Sequence, residues 1–380
     1  MLAESLQLRQ FRNYGELSLP FSPGINIFLG QNAQGKTNII EAVYYAALAR
    51  SHRTSKDAEL IRWEAQGAAM RLSFARLGVR NRLDFQFLRG KRRQISLNGQ
   101  AIRPKELVGK FTAVLFSPED LYLIKGAPAG RRQFLDAEIS QASPAYYHEL
   151  AKYNKILVQR NALLKKIRDR EASREMLDLW DLQLAESAAK LVAKRVQAVS
   201  RLSMLARLCQ RRISGALENL QISYELHRHR DDKGDLPLAG EPEGMTKRLC
   251  SWYNEKIARY RELDILRAVT GLGPQRDDLI LTVNGVDLRA FGSQGQQRTG
   301  ALSLKLAELE FIKAETGEYP VLLLDDVMSE LDASRRRELL LFLQREKIQT
   351  LITATDGAYF PEERLGKYYV VCGGVVTPRG

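Results

Sequence analysis

The chain has 380 residues, 44% of them hydrophobic and 27% charged, which suits a soluble globular protein long enough for two or three structural units. No apolar run approaches the roughly 20 residues that cross a bilayer and no stretch reads as a cleaved leader, so the expectation is a cytoplasmic protein with no membrane partner. A net charge of +13 favours a polyanion, and nucleic acid leads because no basic amphipathic stretch is backed by Trp and Phe.

The first elements alternate apolar and polar positions at Leu6–Leu8 and Leu17–Phe21, and a continuous apolar run, Ile25–Leu29, then reads as a buried strand. A Gly-rich turn follows, and Thr37–Ala49 carries apolar residues at helical spacing. From about Ala69 to Ile102 short strands appear at Met70–Leu77, Arg82–Leu88 and Gln94–Leu97, with an Asn98-Gly99 hairpin turn, which predicts an antiparallel β subdomain. Between Pro144 and Ala216 the pattern Leu177, Trp180, Leu184, then Leu191, Val192, Val199, predicts two long helices broken near Glu171–Ser173. A projecting coiled-coil-like arm and an ordinary helical subdomain fit that pattern equally. The stretch Asp231–Gly244 is almost free of apolar residues and reads as a surface loop. A helix near Met245–Tyr260 and a strand at Leu279–Val283 follow, the latter closed by Asn284-Gly285, and the rest alternates helix and buried strand. The expected organisation is a split α/β head, residues 1–143 and 263–380, with a helical insertion at 144–262. Cys209, Cys250 and Cys372 are dispersed without a CxxC pair, so neither a disulfide framework nor a zinc site is indicated.

Gly30-Gln31-Asn32-Ala33-Gln34-Gly35-Lys36-Thr37 fits GxxxxGK[ST] and lies between an expected strand and an expected helix. In that setting backbone amides and the helix start face the phosphates of ATP, Lys36 reaches the β and γ groups, and the Thr37 hydroxyl holds Mg²⁺. The run Val321–Leu324 ends in Asp325 and Asp326, as a buried parallel strand delivering two carboxylates would. Such a pair alone is more simply a helix cap. Alongside a phosphate loop, Asp325 is expected in the Mg²⁺ shell and Asp326 on the attacking water.

Ser293-Gln294-Gly295-Gln296-Gln297-Arg298 looks like the SGGQQR signature of ABC-type ATPases, with Gln294 for the first Gly, although by itself it could be a plain polar loop. Ser329-Glu330-Leu331-Asp332 resembles their D-loop. The resemblance implies that Ser293, Gln294, Gly295 and Gln296 act in trans, closing over ATP held by a second copy, so that ATP joins two heads and hydrolysis releases them. Relative to transporter cassettes, Asp326 stands for the catalytic Glu and Thr355 for a switch His, which implies slow turnover.

The order of these motifs, with Phe11-Arg12-Asn13-Tyr14, Asn38 after the phosphate loop, Ser51-His52-Arg53, Phe116–Leu121, Lys125–Pro128, Arg131–Asp136 and Gly273–Asp278, resembles the RecF family of bacterial recombination-repair ATPases over residues 11–332. That resemblance implies an ABC/SMC-type P-loop ATPase head with an antiparallel β subdomain and an inserted helical arm. It also implies a weak, DNA-stimulated ATPase acting on duplex or gapped DNA, with RecR and RecO helping to load RecA. Gln31 stands where the family usually has Glu, and Gln275 where it usually has His. Arg12 is expected to approach the nucleotide, or else to be an exposed arginine in a turn. The DNA candidates are Arg92, Arg93, Arg131, Arg132, Arg211 and Arg212, drawn from basic runs that more often form solvated faces. Two other readings compete: a regulatory scaffold that binds ATP without DNA, and a transporter-type energy-coupling cassette.

Overall fold

Two kinds of apolar pattern build two kinds of sheet. A computed structural model describes residues 1–215, 217–232, 234–238, 243–360 and 365–379. In chain order it runs β1 (Leu2–Phe11), β2 (Tyr14–Pro20), β3 (Ile25–Leu29), α1 (Lys36–Leu48), β4 (Gly67–Arg76), β5 (Val79–Leu88), β6 (Gln94–Leu97), β7 (Gln100–Ile102), α2 (Pro104–Leu107) and β8 (Ala113–Phe116). The middle holds α3 (Leu121–Lys125), α4 (Pro128–Ala142), α5 (Pro144–Arg168), α6 (Leu177–Ile213), β9 (Leu220–Glu225), α7 (Met245–Arg267), β10 (Asp278–Val283), β11 (Val286–Asp287) and α8 (Leu288–Phe291). The chain ends with α9 (Gln294–Thr316), β12 (Val321–Asp325), α10 (Ala333–Arg345), β13 (Thr350–Ala354), β14 (Gly366–Cys372) and β15 (Val375–Arg379).

One unit comprises Met1–Leu121, Arg212–Ala216 and Arg298–Gly380. Its antiparallel sheet has the order β2-β1-β4-β5-β6-β7. Residues of alternating polarity supply it: Ala68, Met70, Leu72 and Phe74 of β4 face inward, as do Leu83, Phe85 and Phe87 of β5. The N-terminal hairpin therefore belongs to the expected β subdomain, through the register Leu6–Leu72 and Leu8–Met70. The second sheet has the order β15-β14-β3-β13-β12-β8 and is parallel except for β15. Every residue of β3, β12 and β13 is buried, which is why these strands read as unbroken apolar runs. Helix α1 is buried through Ile39, Ile40, Val43 and Tyr45, which join one core with Phe85 and Phe87 of the first sheet and Leu323 and Leu351 of the second.

The other unit comprises Tyr122–Arg211 and Leu217–Gln297. Its border thus falls earlier and later than the 144–262 read from the sequence. The reason is that α4 and a three-stranded sheet, β11-β10-β9, pack with the long helices. Helix α6 is buried at positions from Leu177 to Gln210, so it lies within a packed helical subdomain and is not a bare arm. Arg160, fully buried, joins α5 to α6 through Asp181 at 2.7 Å and to α7 through Asp264 at 2.8 Å. Within the surface loop expected at 231–244, residues 233 and 239–242 lie outside the described residues. No helix among the described residues is long and apolar enough to cross a membrane.

Candidate nucleotide-binding and catalytic site

The phosphate loop leaves the buried end of β3 and turns directly into α1. At the turn Gly35 takes φ 115°, and a Cβ there would come within 2.6 Å of Asn13 Nδ2 and 2.8 Å of the Tyr14 hydroxyl. Those two side chains hold the loop from behind, since Asn13 Nδ2 donates to Gln34 O at 3.0 Å and Tyr14 Oη to Gly35 O at 3.0 Å. The β14–β15 turn grips the same residue, with Gly373 N donating to Gln34 Oε1 at 2.6 Å and Gly374 N to Gln34 O at 3.2 Å. Asn38 Nδ2 donates to Asn13 Oδ1 at 2.7 Å, so the expected loop neighbour acts by tying the helix to this clasp. Gln31, Asn32 and Ala33 are exposed along the front of the loop.

Lys36 is buried, and its Nζ donates to Gly30 O at 2.7 Å and Gln31 O at 2.8 Å. Burial lowers its pKa, while Asp326 and Asp325 push it back up. Its partners are loop carbonyls, which a phosphate oxygen can replace without leaving a buried carboxylate unpaired.

Asp325, at the end of β12, accepts from Thr37 Oγ1 at 3.0 Å and from Thr353 Oγ1 at 2.6 Å. Thr353 in turn accepts from Asp326 N at 2.9 Å, so one hydroxyl fixes both acids. The Thr37 hydroxyl and the Asp325 carboxylate are hard oxygen donors suited to Mg²⁺ that shares its shell with phosphates and water.

Asp326 adopts φ 54°, an uncommon conformation for a side-chain-bearing residue, and sits before a single 3₁₀ turn at Val327–Glu330. Its side chain makes no capping hydrogen bond there, and Oδ1 is buried with no partner among the described residues. The helix-cap reading of the acidic pair therefore does not describe this carboxylate. Burial raises its pKa, Asp325 and Glu330 add to the rise, and Lys36 opposes it, as suits a group that must take up a proton.

The D-loop residues have partners within the chain. Ser329 Oγ donates to Asp326 O at 2.7 Å, and Asp332 caps α10 by accepting from Arg335 N at 2.9 Å. Glu330 pairs with Arg298 of α9 at 2.7 Å. Ser293 forms a reciprocal capping box at the start of α9: Gln296 N donates to Ser293 Oγ at 3.2 Å, and Ser293 N donates to Gln296 Oε1 at 3.0 Å. Gln294 is exposed, and a Cβ on Gly295 would have no neighbour closer than Ser293 Oγ at 4.0 Å. Nothing in its own chain requires a glycine there.

Arg12, expected to approach the nucleotide, is engaged within the chain. Its Nε and Nη2 clasp Glu41 of α1 at 2.8 and 2.6 Å, and Nη1 donates to Glu59 O at 2.8 Å. Glu41 is fully buried; burial pushes its pKa up, but hydrogen bonds from Arg12 and Ser51, with the charges of Arg12 and Arg53, hold it below the usual value. Thr353 and Glu41 are the residues that the motif reading passed over. Thr355 lies just beyond β13, and its neighbour Thr353 holds both acids.

Of the basic candidates, Arg93 is held by Asp57 at 2.7 Å and the Tyr45 hydroxyl at 3.0 Å, and Arg131 is buried in a two-point pair with Asp278 at 2.8 Å. Arg212 lies over the Phe342 ring, 5.4 Å from its centre. Arg92 and Arg211 are exposed, and Arg132 uses Nη1 on Asp277 O at 2.8 Å. Gln275 accepts from the Tyr153 hydroxyl and donates to Leu272 O at 3.1 Å, which makes it a fixed part of its turn.

A parallel sheet that delivers a phosphate loop and a carboxylate pair to one edge, with an ABC-type signature on α9, defines a P-loop ATPase head of the ABC/SMC class. Residues 2–365 match the family described as the RecF/RecN/SMC N terminal domain. The DNA replication and repair protein RecF of Halothermothrix orenii is 44% identical over 358 residues, 94% of this chain and 92% of that one. RecF of Bacillus subtilis is 43% identical over 365 residues, 94% of each chain. A recombination mediator RecF solved with ATP in the RecFOR pathway superposes with TM-score 0.88 at 33% identity, covering 100% of this chain and 98% of that one. An Smc head from Pyrococcus furiosus, 16% identical with TM-score 0.56 over 100% of this chain and 96% of that one, shares the fold. The chain belongs to the RecF family, which sets aside the transporter-cassette reading.

Proposed function

We propose that the chain is an ATP-driven DNA-repair ATPase whose two copies close over ATP on duplex or gapped DNA and part when ATP is hydrolysed. The observation that carries this is Asp326, a partly buried residue whose carboxylate Oδ1 is out of solvent and has no hydrogen-bond partner among the described residues, coupled to Lys36 and Asp325. Lys36 would exchange the carbonyls of Gly30 and Gln31 for phosphate oxygens, and the loop amides with the start of α1 would receive the rest of the triphosphate. Thr37 and Asp325 would hold Mg²⁺, which supplies positive charge against the phosphates. Asp326 would orient a water and accept its proton, with Thr353 holding its backbone amide.

Ser293, Gln294, Gly295 and Gln296 support a contact in trans, because Ser293 and Gln294 are exposed at the start of α9 and the site of a Gly295 Cβ meets no described neighbour closer than 4.0 Å. In the same reading Ser329 and Asp332 of the D-loop lie at the joint between copies. Its partners are DNA and RecR, with RecO and RecA downstream, in line with the solved relative's place in the RecFOR pathway; its own place is the cytoplasm, where DNA and ATP are available.

Single-turnover hydrolysis by Asp326→Asn tests the catalytic assignment. ATP binding should persist while the chemical step slows roughly 10²- to 10⁴-fold, the range for loss of a general base. Wild-type rates in the variant would remove Asp326 from the mechanism.

A further inference from the structure

The turn Gly273–Asp278 gathers cations around acids that are already engaged. Arg132 Nη1 donates to Asp277 O at 2.8 Å, His227 N donates to Asp277 Oδ1 at 2.9 Å, and Arg276 N is fixed to Gly273 O at 2.8 Å. The Arg132 guanidinium therefore reaches the turn from α4, beside the exposed side chain of Arg276, while the backbone of His227, in the segment after β9, is tied to the same acid.

The acids at this turn are occupied. Asp278 gives both oxygens to Arg131 at 2.8 Å, and Asp277 accepts from the Tyr224 hydroxyl as well as from His227 N. Arg276 is exposed, and among the described residues its guanidinium has no acidic partner, nor do Nε and Nη2 of Arg132. The groups also feel one another. Burial lowers the Arg132 pKa, and the charges of Arg195 and Arg276 lower it further while Asp278 and Asp277 offset part of that. Burial lowers His227 too, followed by His229, Arg276 and Arg132.

We propose that Arg132 and Arg276 form a phosphate-binding site that holds the nucleic-acid backbone. Two planar guanidinium forks with N–H groups that lack an acidic partner among the described residues match a phosphate better than a point charge would. A bound anion also removes the mutual repulsion that the folded chain sustains there. The site deepens the DNA-binding part of the proposed function and rests on it. It also sorts the basic candidates, since Arg93 and Arg131 are committed to internal ion pairs while Arg276 is exposed and Arg132 is held only through Nη1 on a backbone carbonyl.

The test is fluorescence anisotropy of a labelled gapped duplex with ATP over a salt series, for wild type, Arg276→Gln, Arg276→Lys and the double variant Arg132→Gln/Arg276→Gln. Arg276 is exposed, so its substitutions should leave folding and ATP binding unchanged. The slope of log affinity against log salt should fall by about one for Arg276→Gln and about two for the double variant, with Arg276→Lys close to wild type. At moderate salt the single variant should bind about tenfold more weakly. If wild type binds DNA and both Gln variants keep its slope and affinity, the site is wrong while the DNA reading stands. If wild type shows no DNA binding with any nucleotide, the DNA reading itself fails. DNA binding unchanged with loss of an acidic protein partner would also overturn the proposal, by assigning the cations to a carboxylate surface.

Discussion

The helical unit and the nucleotide edge bury charge in opposite ways. In the helical unit charge meets charge: Arg160 lies between Asp181 and Asp264, Arg131 on Asp278, and Arg195 on Asp136. At the nucleotide edge Lys36 is held by two loop carbonyls, and Asp326 keeps an oxygen with no partner. Removing one member of a closed pair leaves its opposite stranded, so these pairs specify shape. A cation on exchangeable carbonyls and an unpartnered carboxylate bind nothing as firmly as a ligand would, so they are poised for chemistry. The two regions should therefore fail differently, one in folding and one in turnover.

The largest expected effect on stability is at Arg160. Arg160→Ala strands Asp264 and leaves Asp181 to Arg261 alone, and should cost about 3 to 5 kcal/mol in denaturant unfolding, while any protein that remains folded should hydrolyse ATP as wild type does. A loss of hydrolysis in the folded fraction, as large as that of Asp326→Asn, would erase the distinction between the regions. Conversely, Asp326→Asn removes a charge that burial disfavours, so it should not destabilise the chain.

A smaller effect distinguishes a closed network that still carries a titratable group. Asp277 is buried and its pKa is raised to about 6, first by burial, against the opposing bonds of Tyr224 and His227 N and the charges of Arg195 and Arg132. The folded state therefore binds the proton more tightly than the unfolded chain, whose carboxyl keeps a value near 3.8. Protonation of Asp277 contributes stability that is full below about pH 3.8 and is lost as pH rises through about 6. Melting curves of wild type and Asp277→Asn from pH 7.5 to 5 should diverge by at most about 2 kcal/mol, wild type gaining relative stability as the pH falls. A pH-independent difference would show that Asp277 is ionised throughout.

Much of this was legible in the sequence, for reasons tied to particular residues. Strands β3 and β12 are buried on both faces, so they spell continuous apolar runs, and the phosphate loop and acid pair at their ends could be placed. The pairing of β1 with β4 was not legible because it joins Leu6 to Leu72, and no local signal encodes so distant a register. Strand β9 alternates over only Leu220–Glu225 and is completed by β10 from far along the chain. Thr353 was overlooked because its role depends on reaching Asp325 and the Asp326 amide across neighbouring parallel strands. The arginine runs misled because charge was read without phase. Arg131, Phe134, Leu135 and Glu138 share one buried face of α4, and that i, i+3, i+4, i+7 spacing already marks Arg131 as an internal group.

The most direct test of two copies sharing ATP is sedimentation velocity of Asp326→Asn, which should retain ATP, with and without Ser293→Arg. The account predicts a dimer with ATP, a monomer with ADP, and a monomer for the double variant even though nucleotide remains bound. A species that stays monomeric with ATP in both proteins, or a dimer that persists after Ser293→Arg, would contradict it.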